Sequence, residues 1–224
     1  MNKNQAKTLL LIITIIIGEV IISGCIGNEE NKIGEELITE TGDYFPLSIG
    51  NHWTYNLEID VGGAKVQKIL DVQISKKERI DGVETYAMEY KLGDKVLQIE
   101  DYSNENEKVI CYKRIISGTN FYIAPPQLLY DFSLLKKEEK WEWSGKVGEQ
   151  EANLKGEVLG EETITIPAGT FKTYKVNIIV RDDDGRILVS TDRWFAYGVG
   201  MVKEESIDGL MFVTIKLKEY KVKE

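Results

Sequence analysis

The sequence predicts an all-β domain: one curved antiparallel sheet of about nine or ten strands, shaped as a half-barrel or barrel, behind an N-terminal signal or anchor segment. Three observations predict it. Apolar and polar residues alternate over most of the chain after residue 44, glycine-containing turns separate the alternating stretches, and no long stretch has helical spacing, apart from one turn near residues 125–132. Such short turns join antiparallel strands, and long strands curl to protect their edges, with a sandwich as the remaining alternative.

Residues 1–24 form the first element, with the three-part layout of a secretory signal: a basic head, an apolar stretch at 9–17 and small residues before Cys25. Gly18 and Glu19 interrupt the apolar run before it reaches the roughly 18–20 residues of a membrane-spanning helix. A carboxylate in mid-bilayer would also be costly. A cleaved signal is therefore predicted, and an uncleaved anchor helix is the alternative.

The four residues Ile22-Ser23-Gly24-Cys25 resemble the lipobox of lipoproteins. The resemblance implies cleavage between Gly24 and Cys25 and a diacylglyceryl group on the Cys25 thiol. Membrane lipid is then the predicted partner, held through this group or through an N-terminal helix if the signal is retained. Residues 25–43 are acidic and rich in Gly and Asn, which indicates a lipid-attached flexible tether. The chain is predicted to lie at the cell membrane, facing the outside of the cytoplasm.

Residues 44–224 are predicted to form the antiparallel β domain. The clearest strand is WTYNLEIDV at 53–61, where the odd-numbered apolar residues share one face and polar residues share the other. The same alternation marks residues 70–74, 86–92, 174–180 and 211–217. The stretch KVICYKRII, residues 108–116, is apolar on both faces, so we expect a central strand that is covered on both sides.

Three stretches in order, PLSIGNHWTY (46–55), IPAGTF (166–171) and WFAYGVGMVK (194–203), resemble a pattern found in uncharacterised exported β-sheet lipoproteins of prokaryotes. The resemblance implies a fold and a compartment and no defined activity. A more remote similarity, in layout only, is to half-barrel carriers that move lipoproteins across the periplasm. Each stretch also has a structural explanation. Pro167 ends a strand and Gly169 turns the chain, while the glycines of the last stretch permit a sharp bend or a close approach.

Composition excludes several classes of function. The net charge of −9, with no basic cluster, argues against nucleic-acid binding. His52 is the only histidine, so a histidine-based metal cluster is excluded, and the residue is expected at the barrel rim. Cys111 is expected to be a small buried hydrophobe, and with Cys25 lipidated no disulfide is predicted. The acidic run at 182–185 indicates a hairpin tip. No enzyme, metal or cofactor is predicted.

Aromatic residues are the candidate site. If the sheet curls, Trp53, Tyr55, Tyr86, Tyr90 and Trp194 could line a concave apolar pocket, and a plain packed core is the alternative. The predicted function is a non-enzymatic binding or carrier module for an apolar ligand. The alternative is a structural or protein-interaction lipoprotein of the cell envelope with a fully packed core. A cavity of roughly 300 Å³ or more would favour binding.

Overall fold

The computed structural model describes residues 43–223, which form one closed barrel of antiparallel strands. Each strand pairs with its neighbours in sequence, and the first strand closes against the last. The strands are β1 (His52–Val61), β2 (Ala64–Ile80), β3 (Val83–Leu92), β4 (Lys95–Glu105), β5 (Lys108–Ile116), β6 (Thr119–Asp131), β7 (Lys140–Val147), β8 (Gln150–Ile166), β9 (Gly169–Arg181), β10 (Ile187–Ala196), β11 (Gly200–Asp208) and β12 (Met211–Lys221). A 3₁₀ helix, Phe132–Lys137, connects β6 to β7. The all-β, single-domain prediction is confirmed, and the open choice of architecture is decided in favour of a barrel.

The barrel has twelve strands, so the predicted number of about nine or ten is wrong. Two strands show the reason. In β4 the buried residues include Gln98 and Glu100, so a polar side chain stands where the pattern calls for an apolar one. In β6, Pro125 and Pro126 interrupt the pattern, and the turn predicted there is part of the strand. Neither proline has a partner in the ladders with β5 or β7, so its missing N–H costs no ladder hydrogen bond.

Strand β1 has the predicted face. Trp53, Tyr55, Leu57 and Ile59 are all buried, and only Val61, at the end of the strand, is exposed. Because side chains alternate along a strand, these four residues line the inside of the barrel.

Strand β5 is apolar on both faces because of a β-bulge, and not because it is covered on both sides as expected. The ladder shifts register between Cys111 and Lys113, which marks a β-bulge. A bulge changes which residues face the core, so Cys111 and Arg114 are both buried although they are three positions apart. The outward Ile110 and Ile115 are only half-buried, so the expected full cover on both sides is not present. The Cys111 prediction is confirmed: the thiol is buried, and burial raises its pKa above the usual range.

Residues 43–47 close one end of the barrel, which we call the tether end. The Phe45 ring is buried, with its centroid 5.2 Å from the ring centroid of Tyr102 and 5.8 Å from that of Tyr130. The Asp43 carbonyl oxygen accepts a hydrogen bond of 3.0 Å from Gly198 N. The chain therefore enters the barrel at the end that carries the β10–β11 turn.

The two later motifs have the predicted structural roles. Strand β8 ends at Ile166, Gly169 has a φ of 136°, and Phe171 is buried. Gly200 has a φ of 96°, and a Cβ atom there would lie 3.4 Å from Pro46 Cδ. The backbone angle favours glycine at position 200, and a Cβ atom there would be in ordinary van der Waals contact with Pro46.

The contact between β6 and β7, which we call the seam, is the weakest join in the barrel. These strands pair only at Ile123–Val147 and Ala124–Lys146, whereas β7 pairs with β8 from Lys140 to Val147. Along the rest of the seam, two buried indoles of β7 donate hydrogen bonds to backbone oxygens of β6. Trp141 Nε1 donates to Leu129 O at 3.2 Å, and Trp143 Nε1 donates to Pro125 O at 3.1 Å. Side chains thus replace the missing backbone ladder.

The remaining sequence predictions concern His52, the acidic run at 182–185 and the N-terminal segment. His52 lies at the start of β1, half-buried, with Nε2 3.5 Å from Asp71 Oδ1. The acidic run forms the β9–β10 turn, where Asp182 accepts hydrogen bonds from Arg186. Between residues 43 and 223 no helix is long and apolar enough to cross a membrane. The signal, the Gly24–Cys25 cleavage site, the lipidated Cys25 and the tether up to residue 42 lie outside the described residues.

Candidate functional site

A cavity lies inside the barrel and extends to the tether end. Three of the five predicted aromatic residues, Trp53, Tyr55 and Tyr90, line it together. The other lining residues are Phe45, Pro46, Leu70, Val72, Met88, Leu97, Gln98, Tyr102, Ile116, Tyr130, Arg193, Phe195, Gly200, Met201, Glu204 and Ile215. Most of this wall is aromatic or aliphatic, so the cavity is chiefly apolar.

The enclosed space is modest. About 80 Å³ is open to the centre of a water molecule, and the whole recess, including the part that is continuous with solvent, holds about 950 Å³ between atoms. The volume open to the centre of a water molecule is smaller than the roughly 300 Å³ expected of a pocket for a drug-sized ligand. It still exceeds the roughly 10–15 Å³ that one water molecule requires. The interior is therefore neither fully packed nor a large pocket, and the space inside it suits a small group.

The polar atoms of two aromatic liners are used inside the protein. Trp53 Nε1 donates to Val199 O at 2.7 Å, and the Tyr55 hydroxyl donates to Met201 O at 2.9 Å. Both hydrogen bonds fix the chain around the β10–β11 turn. Because their polar atoms are directed at this backbone, the two rings contribute mainly apolar surface to the cavity.

Tyr86 lies outside the cavity wall. Its hydroxyl donates to Glu84 Oε1 at 3.2 Å, and Lys77 Nζ lies 5.4 Å from the centroid of its ring. Glu84 and Lys77 are exposed surface residues. The structure therefore places Tyr86 against the margin of the core rather than with the other predicted aromatics.

Trp194 also lies elsewhere, on the outer face of β10. Its neighbours in sequence, Arg193 and Phe195, both line the cavity, so the indole between them points outward. There Lys175 Nζ and Lys203 Nζ lie 4.7 and 4.1 Å from the centroid of the ring. This geometry indicates cation–π contacts, and it buries Trp194 without bringing it to the cavity.

A buried ion pair forms the polar side of the cavity. Arg193 on β10 lies opposite Glu204 on β11, and its Nε donates to Glu204 Oε2 at 2.6 Å. Arg193 Nη1 also donates to the Tyr130 hydroxyl. Burial opposes the charge of the guanidinium, but the Glu204 carboxylate together with the Tyr130 and Tyr90 phenols outweighs burial and holds the pKa of Arg193 above its usual range.

Glu204 has one carboxylate oxygen without a partner. Its side chain is only 1% exposed, and Oε1 accepts no hydrogen bond. A buried acceptor without a donor is unusual in a folded protein and needs an explanation. In this protein the orphan oxygen belongs to a residue of the cavity wall.

A second buried pair lies behind the wall. Arg114 Nε donates to Glu100 Oε1 at 2.6 Å, and Arg114 Nη2 donates to Gln127 Oε1 at 2.5 Å. The Tyr102 hydroxyl donates to the other Glu100 oxygen. Burial, and then the Glu100 charge, raise the pKa of Tyr102 above the usual range. This network is satisfied internally, in contrast to Glu204.

The sequence does not single out Arg193 or Glu204 as candidate site residues. The chain has 37 acidic residues, so no single carboxylate stands out. A usable signal was present in β10, where Val189, Thr191, Arg193 and Phe195 recur at every second position and are all buried. An arginine within such a period-two apolar set implies a buried charge, and a buried charge implies a partner of opposite sign.

High pH is expected to destabilise the barrel partly through Tyr130. Burial raises the pKa of Tyr130 to about 12, although Arg193 acts against the shift. An unfolded tyrosine titrates near 10, so the stabilisation is complete below about pH 10 and disappears as the pH rises toward 12. Between these values the free energy of unfolding should fall by up to about 1.4 kcal/mol per pH unit from this group. Urea unfolding at several pH values measures this slope.

Two phenylalanine variants show whether Tyr130 causes this pH dependence of the free energy of unfolding. Tyr130→Phe should flatten the slope above pH 10, whereas Tyr122→Phe, at a position that is 63% exposed, should leave it unchanged. The slope is the readout because Tyr130→Phe also removes a hydrogen bond at neutral pH. Equal slopes in the two variants would contradict the assignment.

Comparisons with known proteins give partial likenesses. The DUF3108-like family matches residues 150–210, about a quarter of the chain. The chain is similar to a candidate lipoprotein from Parabacteroides distasonis (16% identity, 82% of this chain and 100% of that one, TM-score 0.45). It is also similar to a candidate exported protein with a YmcC-like fold from Bacteroides fragilis (14%, 81% and 100%, TM-score 0.41). A β-barrel-like DUF1849 protein from Brucella abortus is a third (9%, 80% and 100%, TM-score 0.47). No curated protein matches the chain.

Proposed function

We propose that the protein is a non-enzymatic binding or carrier module that holds a small, largely apolar ligand inside its barrel. The observation that carries this proposal is the cavity beside Trp53 and Tyr55, which remains open in an otherwise well-filled interior. Protein interiors are close-packed and leave few voids larger than a water molecule. A recess with an apolar wall that reaches solvent is the usual form of a ligand site.

The size of the cavity limits the ligand. With about 80 Å³ open to the centre of a water molecule, the barrel takes a small molecule or one end of a longer one, and the rest of a longer ligand would extend toward solvent. The proposal thus narrows the apolar ligand that the sequence predicts to one with a slender buried end.

The chemistry of the wall supports binding rather than catalysis. Among the described residues that line the cavity, Glu204 is the sole acid, and the wall includes no histidine, cysteine, serine or lysine. General acid–base catalysis requires a positioned group that can exchange a proton, and Glu204 is bound to Arg193. The wall suits recognition of a ligand better than its conversion.

We also propose that the protein works outside the cytoplasm, held at the membrane by a diacylglyceryl group on Cys25. The position of the tether end supports this arrangement, because the chain from Cys25 reaches the barrel at Asp43, next to the cavity residues Phe45 and Pro46. A lipid on Cys25 would therefore attach the barrel to the membrane through its cavity end. The mass of the mature N-terminus tests this part, since an intact Met1 contradicts a lipidated Cys25.

Native mass spectrometry of the protein purified from its own membranes tests the binding proposal. We expect a small molecule bound to the unmodified protein and lost from Val72→Phe, because the larger side chain would fill the cavity. Ile69→Phe is the matched control, since Ile69 lies on the same strand and is 44% exposed. Circular dichroism checks that both variants fold. An unmodified protein without a bound molecule, or Val72→Phe that keeps it, would favour the structural or protein-interaction role instead.

A further inference from the structure

The unpartnered oxygen of Glu204 restricts which polar group the ligand can carry. Strand β11 places this carboxylate on the inner face, where it is 1% exposed and one oxygen is bound to Arg193 Nε. The other oxygen, Oε1, accepts no hydrogen bond within the described protein. Removing a carboxylate oxygen from water without replacing its hydrogen bonds is unfavourable, so the site is complete only when a donor reaches this atom.

Two of the nearby phenols direct their protons elsewhere. The Tyr55 hydroxyl donates to Met201 O at 2.9 Å, and the Tyr90 hydroxyl lies 3.1 Å from Met88 Sδ. Arg193 is committed to Glu204 Oε2 and to the Tyr130 hydroxyl. The wall therefore has an acceptor that its own donors do not satisfy.

The charge of the pair restricts what that donor can be. Glu204 is neutralised by Arg193 at 2.6 Å, so the cavity offers no net negative charge to a cation. An ammonium group would lose its hydration and meet the Arg193 guanidinium, and a carboxylate would meet the Glu204 oxygen. A neutral hydroxyl can donate to Oε1 without either penalty.

We propose that the cavity selects ligands whose buried end is an apolar group with a neutral hydrogen-bond donor, such as an alcohol, and that Glu204 Oε1 accepts this hydrogen bond. This inference rests on the proposed binding function and names the chemical class that the same site takes. The apolar body of the ligand packs against Val72, Met88 and Phe195, and its hydroxyl lies at the Arg193–Glu204 pair.

Matched six-carbon probes test this selection on the full-length protein in lipid nanodiscs. 1-Hexanol and its isomer methyl pentyl ether have the same atoms, but only the alcohol has a donor. Hexylammonium and hexanoate test the two charged alternatives. The readout is the ¹³C-methyl NMR shift of Met88 and Met201, which line the cavity, with Met211, which is not part of the wall, as the internal reference. Titrations of empty nanodiscs correct for partitioning into lipid.

We expect 1-hexanol to bind about tenfold more tightly than the ether, because a hydrogen bond to a charged acceptor is among the stronger ones. Both charged probes should bind more weakly than the alcohol. Glu204→Gln should abolish the preference, since its amide oxygen is needed by Arg193 and its NH₂ then faces the cavity as a donor. Ile69→Phe, at an exposed position of β2 outside the cavity wall, should preserve the preference.

The outcomes separate this inference from the function on which it rests. If 1-hexanol and the ether bind equally to the unmodified protein, the donor selection is wrong and binding stands. If hexanoate binds most tightly, recognition depends on Arg193 and the inference is also overturned. If no probe shifts Met88 or Met201, the inference and the proposed binding function both fail. The comparison of probes on the unmodified protein does not depend on how well Glu204→Gln folds.

Discussion

Replacing Arg193 with methionine is expected to lower the free energy of unfolding by about 3–5 kcal/mol. The reason is the charge that remains. Glu204 is 1% exposed and accepts its one hydrogen bond from Arg193 Nε, so without the guanidinium a carboxylate is left buried and unpaired. Methionine fills a similar length, which limits the loss of packing. Urea unfolding of Arg193→Met and of the unmodified protein at neutral pH measures the difference.

Two further variants separate the charge from the packing. The double variant Arg193→Met with Glu204→Leu removes both charges, and it should regain most of the lost stability, since apolar replacement of a buried pair is often neutral. The surface pair of Lys155 and Glu142 is the control. Their atoms lie 2.7 Å apart, but both side chains are more than 60% exposed, so Lys155→Met should cost less than about 1 kcal/mol. If the double variant is as unstable as Arg193→Met, lost packing rather than the unpaired charge explains the effect.

The width of the barrel explains why its interior contains such groups. Eight strands enclose roughly the space that side chains can fill, and the enclosed space grows with strand number. This barrel has twelve strands, and its interior is filled by long side chains: the Tyr102 and Tyr130 phenols, two arginine–glutamate pairs and the Phe45 ring from the tether end. The cavity is the part of the interior that these side chains leave open.

The sequence predicts the class of this fold well and its closure poorly. Alternation and glycine turns are local. Strand β1, the return of the chain at Phe171 and the bend at Gly200 could therefore each be predicted from a few residues. Closure depends on the pairing of β1 with β12, whose residues are about 160 positions apart in the chain, and local alternation does not contain that information. The alternation indicates too few strands because inward polar residues such as Glu100 interrupt it.

The sequence indicates part of the cavity wall, and the limit has the same physical reason. Trp53, Tyr55 and Tyr90 lie on the inner face of well-patterned strands, so their meeting at one cavity follows from period-two alternation. Trp194 and Phe195 are adjacent, and adjacent residues of a strand face opposite sides, so hydrophobicity alone could not tell which one points inward. The Arg193–Glu204 pair depends on the register of β10 against β11, which is a tertiary property.

Replacing Gly156 with alanine is expected to lower the free energy of unfolding by about 3 kcal/mol. Gly156 lies opposite Trp141 in the β7–β8 ladder, and its bare backbone accommodates the indole. A Cβ atom at position 156 would lie 2.1 Å from Trp141 Cε2, well inside van der Waals contact. The indole would have to move, although it is buried and donates to Leu129 O across the seam. Urea unfolding measures the loss.

A double-mutant cycle shows whether the indole is the cause. Trp141→Ala alone should cost about 3–5 kcal/mol because it leaves a cavity, and in that background Gly156→Ala should cost almost nothing. Because Trp141 also joins β6 to β7, its displacement in Gly156→Ala should accelerate hydrogen exchange of the β7 amides more than that of the β12 amides. Uniform acceleration would mean that the alanine weakens the barrel as a whole. An equal cost of Gly156→Ala with and without Trp141 would contradict the steric explanation, and the indole would then have no special part in closing the seam.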